Sequence, residues 1–270
     1  MIIADYHVHS HFSSDSTASM AETVEKAIEL GMNKICFTDH MDYDFPVKYG
    51  LPFVFDPDEY FKELDVIADR YKSKIKVLKG IELGLQPYLA PRYKKLLKQY
   101  DFDFAIGSSH LVNGMDPYYP EYWRDITAEE GMRTYFQSII DNVKAFQEFQ
   151  VYGHLDYIVR YAPDKNQSYT YEKYADIIDE MLKTIIGSGK GIEVNTAGYK
   201  YGLGFAHPQT DVLNRYKELG GEIITIGSDG HKPEHIGYDF PKAEEMLLSL
   251  GFRYYVTYEK KQPVFEKLGK

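Results

Sequence analysis

Histidine and carboxylate residues recur in short groups along this chain: His7-Val8-His9, Thr38-Asp39-His40, Gly80-Ile81-Glu82, Ser108-Ser109-His110, Gly153-His154 and Ser228-Asp229-Gly230-His231. Imidazole nitrogens and carboxylate oxygens brought together are ligands for Zn²⁺, Mn²⁺ or Fe²⁺. In an extended segment residues i and i+2 share a face, so His7 and His9 point the same way, as do Asp229 and His231. Each group alone is a weak signal, because a single His at a strand end is commonly a hydrogen-bonded rim or core residue. The conjunction is stronger. Six of the nine His, with Glu82 and Asp229, fall at the same end of six β-rich runs, and structural histidines have no reason to choose that end.

The elements that must position these groups alternate. The β-rich runs are Ile2–Tyr6, Lys34–Thr38, Ile75–Ile81, Phe102–Gly107, Val151–Gly153, Gly191–Val194, Glu222–Ile226 and Tyr254–Thr257. Between them lie amphipathic stretches that read as helices: Met20–Leu30, Asp58–Tyr71, Tyr88–Gln99, a long one after Thr127 to about Gln147, Tyr171–Ile186, Pro208–Leu219 and Pro241–Leu250. Ser19 with Glu22, and Thr127 with Glu130, have capping-box spacing. Strand–helix alternation with no Gly/Ser-rich linker predicts parallel strands in one closed α/β barrel, a single domain over residues 1–270. The long connections near Met41–Pro57 and Leu111–Asp125 both follow strands, on the face where barrel active sites form.

Composition bounds the partners. With 41 acidic against 31 basic residues the net charge is −10; no Lys/Arg-rich run appears, which argues against nucleic acid and anionic membrane surfaces. No apolar run approaches the ~20 residues that span a bilayer. Cys36 is the single cysteine, so no internal disulfide forms, and a reduced, cytoplasmic protein is expected. The acidic balance also argues, at first sight, against a phosphorylated substrate.

The layout resembles the polymerase-and-histidinol-phosphatase (PHP) family of metal-dependent phosphoesterases over nearly the whole chain. The matching motifs are His7-Val8-His9-Ser10 with Asp15 beyond, Thr38-Asp39-His40, Gly80-Ile81-Glu82, Gly107-Ser108-Ser109-His110, Gly153-His154 and Gly227-Ser228-Asp229-Gly230-His231. Within the family, Gly153-His154-Leu155-Asp156-Tyr157 with Arg160, and Glu193-Val194-Asn195-Thr196, are similar to the stand-alone histidinol-phosphate phosphatases. The resemblance implies a distorted (β/α)₇ barrel, so the run at Tyr254–Thr257 is expected to be an accessory strand. It also implies three divalent metal ions (Zn, Mn or Fe): His7, His9, Glu82 and Asp229 on the first, a bridging Glu82 with His110 and His154 on the second, and Asp15, His40 and His231 on the third. Some members carry His where this chain has Asp15, which favours a harder metal at the third position.

The activity so implied is hydrolysis of L-histidinol phosphate to L-histidinol and phosphate, a step of histidine biosynthesis, by a hydroxide bridging two metals. Phosphotyrosine and small phosphodiesters are the alternative substrates; a metallo-amidohydrolase also begins with H-x-H but fits the later motifs less well. A filled metal cluster outweighs its carboxylates, so the barrel mouth becomes positive inside an acidic surface and phosphate is readmitted. Arg160, six residues after His154, is a candidate fork for phosphate oxygens. Lys200 and His207, after the sixth strand, are candidates to reach the phosphate or protonate the leaving alkoxide. Asp42 and Asp44 are candidate partners for the substrate's ammonium, with Tyr43 or Phe45 as an aromatic wall. Asp39 and His40 face opposite ways, which leaves Asp39 to orient a ligand from behind. His11 and His235 receive no role.

Overall fold

The computed structural model describes residues 1–50, 52–165, 167 and 169–269. Seven parallel strands form the wall of a nearly closed barrel: β1 (Ala4–Val8), β2 (Lys34–Phe37), then after a two-residue strand β3 (His40–Met41), β4 (Lys76–Gly84), β5 (Phe104–Ser108), β6 (Val151–Tyr152), β7 (Gly191–Asn195) and β8 (Ile224–Gly227). The order is β1-β2-β4-β5-β6-β7-β8, with β3 beside the upper part of β4. A parallel bridge from Val8 to Gly230 and the bond from the His9 N–H to the Gly230 carbonyl at 2.9 Å draw the first and last strands together. The strands are buried on both faces, which is why they read as apolar runs rather than alternating ones.

Helices wrap the outside: α1 (Met20–Glu29), α2 (Pro57–Tyr71), α3 (Ala90–Gln99), α4 (Ala128–Ala145), α5 (Ala175–Gly187), the single turn α6 (Ala197–Lys200), α7 (Thr210–Glu218) and α8 (Phe240–Ser249). Each longer helix buries one stripe, for example Tyr135, Phe136, Ile139, Ile140 and Val143 of α4. Thr127 and Glu130 form the expected capping box. Ser19 does not: it occupies the N-cap in extended conformation, but its side chain bonds no N–H of the first turn. Helix α1 is anchored instead by burial of Met20, Val24 and Ala27.

Two departures from the sequence reading matter for the site. The second run stops at Phe37, and the chain resumes at His40 as β3, whose register sets His40 directly opposite Glu82. The third run extends through Gly84, so Glu82 sits inside a strand, with Ile106 of β5 opposite it on the other side. The run at Tyr254 is the first half of an antiparallel hairpin, β9 (Tyr254–Glu259) and β10 (Gln262–Lys267), outside the barrel wall. It closes the N-terminal end: the Tyr6 hydroxyl donates to the Tyr258 carbonyl at 2.8 Å, and Phe104 stacks on Tyr258. Among the described residues no helix is long and apolar enough to cross a membrane, and Cys36 is fully buried.

Candidate metal centre

All nine candidate ligands converge at the C-terminal mouth of the barrel. Glu82, fully buried, is the hub. Its Oε1 lies 2.9 Å from His154 Nε2 and 3.2 Å from His110 Nε2; its Oε2 lies 2.9 Å from His40 Nδ1, 3.1 Å from His7 Nε2 and 3.6 Å from His9 Nε2. Asp229, held in the left-handed region at φ 51°, turns its carboxylate to His9 Nε2 at 3.3 Å. Asp15 reaches His231 Nε2 at 3.1 Å and His40 Nε2 at 3.8 Å. Two triads match the implied grouping, His7–His9–Glu82 and Glu82–His110–His154; around the third position His9, rather than Asp15, completes the tight triangle with His40 and His231.

The imidazoles are aimed from behind. His7 Nδ1 meets Glu193 Oε1 at 2.6 Å, His110 Nδ1 meets Asp42 Oδ2 at 2.6 Å, His231 Nδ1 donates to the Asp229 carbonyl at 3.1 Å, and His9 Nδ1 meets Ser13 Oγ at 3.0 Å. Such partners fix the ring and leave the other nitrogen's lone pair facing inward. Space for them is built in: a Cβ on Gly227 would strike His7 and the Glu193 carboxylate, and one on Gly84 would strike the Asp42 carboxylate.

The inward atoms make the decisive test of a metal. His7 Nε2, His9 Nε2, His40 Nδ1, Glu82 Oε2 and His231 Nε2 are buried and, among the described residues, have no hydrogen-bond partner. Buried polar atoms are normally satisfied, and orphans cost free energy. Five at one point, drawn from nitrogen and carboxylate donors, suit a cation.

Charge follows the same logic. Burial opposes ionisation of Glu82, yet the imidazoles of His7, His110 and His40 hold its carboxyl well below the usual range. Burial likewise opposes charge on Asp229, and the neighbouring imidazoles of His7, His231 and His9 overcome it. Burial, with His231 and His40 close by, pushes His9 well down, so it is a neutral donor. Burial pulls His40 down but Glu82 and Asp15 lift it to about 9. Burial raises the Asp39 carboxyl against bonds from Ser13 and Ser10 that stabilise its anion.

A cavity of about 390 Å³ opens over the donors. Arg160 lines it, its guanidinium over the ring of Tyr201. Lys200 Nζ donates to the Asp229 carbonyl at 3.1 Å and does not itself line the cavity; burial lowers its pKa. His207, expected near the leaving group, is not a lining residue either: it is buried, its Nδ1 paired with Asp156 and its backbone bridged to Asn195. Asp42 lines the cavity, but its Oδ2 serves His110. Asp44 pairs with Arg92, and Tyr43 stacks on Tyr93, both away from the cavity.

Sequence reasoning passed over three residues. Asp116, in the connection after His110, lines the cavity beside Tyr157 and Tyr161; burial lifts its carboxyl to about 6, and among the described residues no Lys or Arg pairs with it. Glu193 was quoted only for its resemblance, although its i, i+2 spacing to Asn195 places both on one strand face. Ser13, between His9 and Asp15, carries no signal beyond proximity in sequence.

Comparison with known proteins adds three findings. The PHP domain model matches residues 5–197. The histidinol-phosphatase of Lactococcus lactis is 33% identical over 94% of this chain and 93% of its own length, and a Clostridium acetobutylicum protein named a probable histidinol-phosphatase is 36% identical over 91% and 92%. The crystal structure of the L. lactis histidinol phosphate phosphatase, complexed with zinc, L-histidinol and phosphate, superposes with a TM-score of 0.89 at 32% identity, covering 97% of this chain and 98% of that one.

Proposed function

Because this chain belongs to the PHP domain family, whose members here include histidinol-phosphatases aligned nearly end to end, we propose that it is a metal-dependent phosphoric monoester hydrolase that converts L-histidinol phosphate to L-histidinol and phosphate. One observation carries the reading: nine ligand-type side chains at the C-terminal ends of the barrel strands and in the loops beyond them meet beneath a cavity that also presents Arg160 and Asp116, a carboxylate that, among the described residues, no Lys or Arg pairs. Phosphate, metal and ammonium each have a counterpart there.

His7, His9, Glu82 and Asp229 would hold one divalent ion, Glu82 with His110 and His154 a second, and Asp15, His40 and His231 a third, with zinc, manganese or iron suited to the donors. Such ions supply a deprotonated water at neutral pH and neutralise phosphoryl charge. The chain's own residues do the rest. Arg160 forks onto phosphate oxygens, and its stacking on Tyr201 keeps the guanidinium oriented. Lys200 pins the Asp229 backbone and adds positive potential from behind the wall. His207 shapes the support of Asn195, whose amide lies 3.3 Å from Asp229 Oδ2, instead of exchanging protons with substrate. Asp116 takes the role first assigned to Asp42, receiving the substrate's ammonium against the Tyr157 and Tyr161 rings. We read residues 1–270 as one domain working in the cytoplasm, a reading that the single, buried Cys36 supports.

The test is phosphate release by zinc- and by manganese-loaded protein from L-histidinol phosphate, phosphotyrosine and a small nucleotide diester. The expected kcat/KM for L-histidinol phosphate exceeds the others by about two orders of magnitude, the scale of one charge-assisted contact. Equal constants would move the assignment to a broad phosphoesterase.

A further inference from the structure

His9 is held differently from its neighbours. His7 and His110 direct Nδ1 at carboxylates, whereas His9 Nδ1 meets a hydroxyl, Ser13 Oγ, at 3.0 Å. That same oxygen lies 2.7 Å from Asp39 Oδ1 and 3.1 Å from the backbone nitrogen of His40. A hydroxyl has one proton to give and two lone pairs to offer. The His40 N–H can only donate, so it occupies one lone pair.

Asp39 is an acceptor throughout. The Ser10 N–H reaches Oδ1 at 2.7 Å, and Ser10 Oγ, which accepts from the Phe12 N–H at 3.3 Å, gives its own proton to Oδ2 at 2.9 Å. The Ser13 proton therefore goes to Asp39, and its remaining lone pair faces His9. Only the tautomer with a proton on Nδ1 fills that position. The His9 lone pair then sits on Nε2, the atom that approaches Asp229 and Glu82 and, among the described residues, has no hydrogen-bond partner. Ser10, Ser13, Asp39 and His9 are all fully buried, so bulk water offers no competing partner.

We infer that Asp39 and Ser13 form a proton-ordering relay that locks His9 as the Nδ1–H tautomer and ties it to the His40 backbone, so that one hydroxyl positions ligands of two metal sites. Both are positioning residues, and the inference rests on the metal-site reading above. Its geometry explains why this hydroxyl lies between the first two ligand segments. Replacing it with a carboxylate would orient His9 but would put a second buried charge against Asp39.

The experiment compares zinc-loaded wild type, Ser13→Ala and Ser10→Ala, with labelled imidazole nitrogens followed by NMR and zinc loss to a chelator followed in parallel. In the wild type, His9 is expected to coordinate through Nε2 with a slowly exchanging Nδ1 proton. In Ser13→Ala that proton exchanges rapidly and zinc leaves about 10- to 100-fold faster. Ser10→Ala removes a donor from Asp39 but touches no imidazole, and is expected to retain zinc far better. Unchanged zinc loss in folded Ser13→Ala, an equal loss in Ser10→Ala, or a wild-type His9 without a protected Nδ1 proton would overturn the relay. Should Ser13→Ala fail to fold, the wild-type spectrum still decides. A wild type that takes up no zinc would refute the metal-site reading itself, a result distinct from a relay that fails in a zinc-binding protein.

Discussion

The two ends of the barrel are built on opposite terms. At the N-terminal end Tyr6, Phe104 and Tyr258 pack edge to face and stacked, the Tyr6 hydroxyl is satisfied by a backbone carbonyl, and Lys34 pairs with Glu266 of the hairpin at 2.9 Å. At the C-terminal end, around Glu82, polar groups are also buried, yet five of their atoms have no partner among the described residues. The same parallel strands run through both ends. Stability is thus concentrated where the strands begin, and unsatisfied donor capacity where they end, a division that lets the mouth hold like-charged and strained groups such as Asp229 without losing the fold.

Four substitutions sharpen or break this contrast. The largest effect is expected at the mouth: His9→Ala or Asp229→Asn should lower kcat by roughly 10³-fold or more, since several kcal/mol of transition-state stabilisation is removed, while the melting temperature of the metal-free protein changes little. Activity near wild type in either variant would remove that residue from the centre. At the base the pattern reverses. Phe104→Ala should cost roughly 3–5 kcal/mol of stability, measured by denaturant unfolding, with kcat of the folded fraction preserved; a collapse of kcat at unchanged stability would show that the ends are not separable.

The smallest effect is expected at the cavity rim. Asp116→Asn should lower kcat/KM for L-histidinol phosphate about tenfold, with little change for a phosphomonoester lacking an amine. Because burial lifts this carboxyl to about 6, the sign of the pH dependence is set: the charged form prevails above that value, so the wild type's preference for the amine-bearing substrate should fade as pH drops through about 6. In Asp116→Asn the preference should be flat with pH. A preference that persists unchanged at pH 5 in the wild type would exclude Asp116 as the ammonium partner.

Most candidate ligand positions were legible because they follow a rule of position: the active face of a parallel barrel is the C-terminal face, and the His and carboxylate groups lay at the ends of apolar runs. The chain's own spacing was enough to pair His7 with His9 and Asp229 with His231. Apart from Asp39, residues behind the candidate ligands were not legible. Asp42, Glu193 and Ser13 act through the far nitrogens of His110, His7 and His9, over sequence separations of 68, 186 and 4 residues, and a Ser or an acid in a loop looks the same whether it meets solvent, substrate or an imidazole. His207 shows the converse, since a His after a strand reads as a catalytic candidate, whereas the fold buries it against Asp156 and away from the residues that line the cavity.

By itself the sequence determined which side chains are candidates for the chemistry, that they belong at strand ends, and that the chain is acidic with no basic run, because residue type, period and net charge are local or additive properties. Tertiary structure alone decided which atoms face one another. The His40–Glu82 register, the bridge from Val8 to Gly230 that closes the wall, the hairpin beneath it and the choice of Asp116 over Asp42 as the open carboxylate all depend on strand pairing and loop packing between residues far apart in the chain. Those contacts depend on where the chain returns, and spacing along the sequence does not encode that.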